Sequence, residues 1–224
     1  DVTNLPNGFG KFWNSLEVFD ISRTHLLTNL PEKFGDTWWN LQRLDLMHNQ
    51  LSILPENFGE SWEKLEILDL SNNQINNLSK NFGNSWKQLQ TLNLQVNKLK
   101  ELPENFGELW TNIKYINLYH NELKDLHENF GENWVNLQYL DFQINQIDKL
   151  PENFGKSWIQ LRILYLNNNK LDHLPLNFGK TWEKLEELYM FFNKLSYFPD
   201  NFPKDYQQTW KHMKHLELHK TQFS

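Results

Sequence analysis

The sequence predicts an α/β solenoid, a curved stack of short parallel strands with short helical or 3₁₀ turns on the outer side. Three observations predict it. Leucine-type residues recur at Leu161, Leu164, Leu166 and Leu171, and the pattern reopens 24 residues on at Leu185. A unit so short buries its apolar residues only by stacking on its neighbours. Each unit also holds an alternating stretch, such as Arg43-Leu44-Asp45-Leu46-Met47, which reads as a strand over positions three to seven with one face buried. Between strands comes Pro-Glu-Asn-Phe-Gly followed by Trp, as in Pro151 to Trp158. Pro can begin a helical turn and Gly can end one. Strands on one side and bulkier turns on the other force curvature, with the strands on the concave face.

Residues 1–15 hold half a unit, with Leu5-Pro6, Phe9-Gly10 and Trp13 matching the tail of the repeat. Nine full units follow over 16–223, opening at Leu16, Leu41, Leu65, Leu89, Ile113, Leu137, Leu161, Leu185 and Met213. The steps are 25, then six of 24, then 28 residues, the extra ones lying near Leu26-Leu27 and between Phe202 and Trp210. Irregular end units suit end-capping. With no linker in view, 1–224 reads as a single domain, and about nine strands spaced ~4.8 Å apart give a sheet roughly 40 Å long.

Three ladders run through the units. Asn recurs from Asn49 to Asn193, with Thr24 and Thr221 in its place in the end units. An inward Asn can donate and accept, so it can satisfy backbone groups where the chain leaves the strand. Phe recurs from Phe9 to Phe202. Nine of the ten tryptophans, Trp13 to Trp210, share one column, leaving Trp39 outside it. A column of large aromatics is first of all a core.

Net charge is −6, and the 22 Lys and Arg are scattered singly, which argues against nucleic acid. There are no cysteines, so no disulfides, thiolate zinc site or cysteine nucleophile are expected. No run of about 18 apolar residues is present. The opening DVTNLPNG has neither Met nor a secretory apolar region, so a processed chain with its targeting signal removed is expected.

These residues resemble the leucine-rich repeat family: LxxLxLxxNxL stands complete in 65–75, 89–99 and 161–171, with Ile allowed for Leu. The LP-x-N-F-G-x-x-W tail is similar to that of bacterial and intracellular-type repeats, Phe and Trp replacing aliphatic residues. The resemblance implies a curved horseshoe, protein recognition through the concave sheet, no catalysis and no cofactor. It includes effectors that bacteria inject into host cells, so secretion into a host is one expectation and the cytoplasm the alternative. The ubiquitin-ligase domain of some members needs a cysteine that this chain lacks.

Two candidate zones follow from the outward columns. Asp20, Asp45 and Asp69 fall side by side at the fifth position, where mutual repulsion should raise one or more carboxyl pKa values. They read as a solvated acidic strip or as a seat for a partner's Lys or Arg, with calcium a distant third. The second zone is aromatic: Tyr115, Tyr119, Tyr139, Tyr165, Tyr189 and Phe191, with Ile163 among them and Phe192 and Ile144 alongside. It is the expected partner-binding surface, for a protein or, alternatively, for a carbohydrate stacking on Tyr or for another small ligand. His215, Glu217 and His219 alternate on the last strand, but outer residues ~13 Å apart cannot share one zinc ion. The expectation is a monomeric binding module with no metal and no nucleophile–base pair.

Overall fold

The computed structural model describes residues 3–199, 202 and 209–219. Nine strands form one parallel sheet in chain order: β1 Val18–Asp20, β2 Arg43–Asp45, β3 Ile67–Asp69, β4 Thr91–Asn93, β5 Tyr115–Asn117, β6 Tyr139–Asp141, β7 Ile163–Tyr165, β8 Glu187–Tyr189 and β9 His215–Glu217. Register is uniform, so position three faces position three and position five faces position five along the sheet. Each strand has three residues rather than the five that alternation suggests. It is cut short by a left-handed residue at position eight, with φ of 53–58° from His48 to Phe192. The 25-residue first step is accommodated by a second such residue, His25, after Arg23.

The middle strand residues point inward, and Leu44, Leu68, Leu92, Ile116, Leu140, Leu164 and Leu188 are fully buried. At the ends this weakens: Phe19 is half-buried and Leu216 is 36% exposed. The Asn ladder forms as expected. Asn121 Nδ2 donates to Leu94 O and Leu118 O at 3.0 and 3.2 Å, and its Oδ1 accepts from Leu99 N at 3.0 Å. Thr24 donates through Oγ1 to Asn49 Oδ1. Thr221 and the insertion over 203–208 lie outside the described residues.

On the convex side the expectation of helical or 3₁₀ turns is corrected: between Leu16 and Pro199 there is no helix. Each unit has separate turns instead, as where Phe34 N, Trp38 N and Leu41 N donate to Pro31 O, Gly35 O and Trp38 O at 2.9–3.0 Å. The repeat glycine is the reason. Its φ lies between 68° and 81° from Gly10 to Gly179, which a right-handed helix cannot include. Packing also demands glycine: a Cβ at Gly107 would stand 2.5 Å from the Trp134 ring. That close approach lets each indole Nε1–H donate to the preceding unit's glycine carbonyl, at 2.8–3.0 Å from Trp38 to Trp210. The tryptophan column is therefore a hydrogen-bonded ladder as well as a core.

Trp38 to Trp210 are 0–1% exposed, whereas Trp13 is 43% exposed. Among the described residues nothing stacks on the outer face of Trp13, so the expected burial fails there. The spacing of the rings also sets the curvature. From Trp38 to Trp182 successive column members lie 6.0–6.4 Å apart, against ~4.8 Å between paired strands. On the opposite face of the sheet Tyr115 and Tyr139 lie 4.4 Å apart. Spacing grows from strand face to core, which makes the strand face the inner, concave one.

Candidate functional site

The acidic zone assembles, with Asp20 facing Asp45 and Asp45 facing Asp69 in register. Its carboxylates are engaged locally. Each accepts the backbone N–H two residues on, from Ser22, Met47 and Ser71 at 2.9, 3.1 and 2.8 Å. Asn93, Asn117 and Asp141 do the same for Gln95, Tyr119 and Gln143. This is the Asx-type bond that Asp and Asn, one methylene from the backbone, are suited to make. Asp45, 5% exposed, also accepts from Arg43 at 3.3 Å, and Asp69 accepts from Asn93 Nδ2 at 3.0 Å. The expected mutual rise in pKa is corrected at Asp20: the Ser22 backbone and side-chain hydrogen bonds hold its carboxyl below the usual range, with a smaller contribution from Arg43.

The aromatic zone is a continuous ribbon across β5 to β9. Tyr115 stacks on Tyr139 (4.4 Å, 11°), Tyr139 meets Tyr165 edge-on at 5.7 Å, and Tyr165 lies against Tyr189 at 4.9 Å. Tyr189 meets Phe191 at 6.3 Å, and Phe191 stacks on His219 at 4.9 Å and 4°. Exposed Phe192 packs on both Phe191 and His219. Tyr119 packs edge-on against His120 instead. Ile163 is half-buried between Tyr139 and Glu187 in the register. The tyrosines and Phe191 are half-buried, so the ribbon is both packed across strands and open on its outer side.

Polar groups pin the rings. Tyr139 Oη donates to Asp141 Oδ2 at 3.1 Å, Tyr165 Oη donates to Glu187 Oε2 at 3.1 Å, and Asn117 Nδ2 donates to Tyr115 Oη at 3.2 Å. Burial, then the nearby carboxylate, pushes both the Tyr139 and Tyr165 phenols up. Burial also raises Asp141, against the hydrogen bonds from Gln143 and Tyr139. The amides mostly bind one another: Asn117 Nδ2 donates to Gln95, Gln143 Nε2 to Asp141, and Asn167 Nδ2 to Gln143 Oε1 at 3.1 Å. Among the described residues, Ser71 Oγ and Asn167 Oδ1 are the buried side-chain polar atoms with no partner.

Sequence reasoning missed Asp141, Glu187 and His219 as members of this zone. A signal existed for the first two, since both stand in outward columns beside tyrosines. His219, read with Glu217 as charged end-cap surface, instead extends the ribbon by stacking. Its Nδ1 is 3.9 Å from Glu217 Oε2, and no metal-type cluster of His, Asp or Glu forms among the described residues.

A repeated parallel strand, an Asn ladder and a leucine core define a class, and comparison bears it out. Models described as Leucine rich repeat match residues 14–75, 39–99 and 160–181. The chain carries leucine-rich repeats, and the matches together with the 24-residue spacing support the bacterial type of that family. Among solved structures it is similar to a leucine-rich repeat protein of Leptospira interrogans, at 29% identity and a TM-score of 0.78. That likeness covers 99% of this chain and 53% of the other, so the chain spans about half of its length. No curated protein matches the chain. Leucine-rich repeats are commonly interaction modules and typically non-enzymatic scaffolds.

Proposed function

We propose that this chain is a non-enzymatic recognition module that binds a partner protein on its concave face, through the aromatic ribbon of β5 to β9. The single observation that carries the reading is the ribbon itself, six rings from Tyr115 to His219 in unbroken contact across five strands. Half-exposed rings gain burial only when another surface covers them. Tyr115, Tyr139 and Tyr165 are also pre-oriented by hydroxyl bonds, so little of their rotamer freedom is lost on binding. A carbohydrate fits less well, because the Asn and Gln donors that would fix a sugar are bound to neighbouring side chains. The acidic strip of β1 to β3 is framework in this reading, since its carboxylates cap their own backbone.

The finer form of the proposal is an exported bacterial chain acting on a host protein, supported by the bacterial kind of repeat unit. The test captures partners from eukaryotic lysate with the parent and with Tyr165→Ala/Phe191→Ala, beside a glycan array. A protein held by the parent and lost by the variant supports the reading. Glycan binding in its place, or capture unaffected by the variant, overturns it.

A further inference from the structure

The ribbon has a chemical polarity beyond its shape, and this bears on what the partner presents. The outward columns of units five to nine contain no lysine or arginine, but do contain Asp141, Glu187 and Glu217. In register, one row runs Asp141, Tyr165, Tyr189, Glu217 across four strands. Two tyrosine rings are thus flanked by carboxylates, the outer pair roughly 14 Å apart. Glu187 stands two residues before Tyr189 and reaches the Tyr165 hydroxyl at 3.1 Å. The cations on the strands' leading edge are turned to other partners: Glu186 holds both Arg162 and Lys214, at 2.6 and 2.7 Å, and Lys114 donates to Gln90 at 2.9 Å.

Asn167 marks the inner limit of the place. It lies two residues beyond Tyr165, is 2% exposed, and its Nδ2 donates to Gln143. Its Oδ1 accepts from no described residue but is buried, so a partner's side chain does not reach it. What the open side of the rings lacks is a cation opposite Glu187 and Glu217.

We infer that the Tyr165–Tyr189 pair is the seat of an arginine side chain of the partner protein, stacked on the phenol rings and paired with Glu187. A guanidinium suits it because its flat face stacks on aromatic rings while its five N–H groups reach several acceptors at once. Lysine offers a point charge and no stacking plane. This inference rests on the concave-face reading above and narrows it to a partner with an exposed basic segment.

The probe is a fluorescein-labelled tri-arginine peptide amide, titrated into the intact chain, with tri-lysine of equal charge beside it. Tyr165→Ala/Tyr189→Ala and, separately, Glu187→Gln/Glu217→Gln should each weaken tri-arginine binding at least tenfold. The charge-matched Glu56→Gln/Glu60→Gln, on exposed convex residues, should change it less than twofold, and tri-lysine should bind the parent several-fold more weakly. Should the alanine pair disturb folding, the Tyr165 and Tyr189 ring resonances of the parent report instead and must shift on titration. Equal losses in the convex control, equal binding of tri-lysine, or unmoved Tyr165 and Tyr189 resonances each overturn the arginine seat. If lysate capture still depends on Tyr165 and Phe191 while tri-arginine binding does not, the seat fails and the concave interface survives. If neither depends on them, both fail.

Discussion

In β1 to β4 the fifth-column side chains are Asp and Asn that turn back on their own backbone, whereas in β7 and β8 the same column carries Tyr165 and Tyr189, which lie against each other. β5 and β6 stand between. Asn117 and Asp141 still cap position seven, and each also binds the hydroxyl of the tyrosine two residues earlier. One column therefore serves as framework at one end of the sheet and as surface chemistry at the other. What decides is reach: a carboxylate one methylene from the backbone can meet the N–H two residues on, and a phenol cannot. An outward position is not by itself a binding position.

Both halves stand on the same tryptophan ladder, so the largest effect should be indifferent to which half is used. Trp134→Ala is expected to cost on the order of 3–5 kcal/mol, read from urea unfolding, and Trp134→Phe, which keeps the ring but loses the bond to Gly107 O, should lose less. A Trp134→Ala chain unfolding at the parent's midpoint would break the common foundation. Next comes the surface half. Tyr165→Ala/Phe191→Ala should lower affinity for a captured partner at least tenfold, roughly 1.4 kcal/mol or more, with a small change in melting temperature. A large fall in melting temperature with unchanged affinity would move the ribbon into the framework.

The acidic half should respond in the opposite way. Asp45→Ala deletes a cap and should cost about 1 kcal/mol of stability, while Asp45→Asn, the residue type already serving at Asn93 and Asn117, should be nearly silent. If both melt like the parent and both slow partner association, the strip is a steering surface after all. A smaller gain is expected at position eight, where Val96 holds φ 53°. Val96→Asn places a residue that tolerates the left-handed region and should stabilise by about 0.5–1 kcal/mol; a lower unfolding midpoint would contradict it.

The smallest effect separates the halves by pH. The Asp20 carboxyl is held low by its Ser22 hydrogen bonds, so its contribution is present above the unfolded value, near 3.9, and is lost as pH falls through the folded one. Asp141 is raised by burial, so the penalty of its charge is full above its folded value and gone below the unfolded one. Asp141→Asn should therefore melt at or slightly above the parent at pH 7, an advantage vanishing by about pH 3.5, and Asp20→Asn slightly below it at pH 7. Shifts of about 2 °C are the scale expected. The opposite order in a melting series would mean that the two carboxyls do not differ in environment as described.

Much of the architecture is legible in the residues. The spacing of Leu161, Leu164, Leu166 and Asn169 places the strand, its buried face and the turn that follows, because a 24-residue period admits one way to bury those side chains: against the same positions of the next unit. The aromatic surface is legible too, since Tyr165 and Tyr189 stand where no framework residue is needed. The convex side was misjudged because Pro and Gly mark where a turn starts and stops without stating how many residues between them keep helical angles. A glycine at φ near +75° in each repeat from Gly10 to Gly179, held there by the next tryptophan, leaves room for single turns alone.

Period and column, then, are properties of the chain read along its length, and they are enough for the solenoid, its parallel register and its ladders. Other features arise between units and have no local code. The indole–glycine bonds exist because Gly107 lets the next ring approach, the Trp13 face is open because none of the described residues covers it, and Tyr165 is pinned because Glu187 of the next strand reaches its hydroxyl. Each depends on distances of a few ångströms between residues about 24 apart in sequence. Such distances are set by the stacking and curvature of the whole sheet, which no single unit contains.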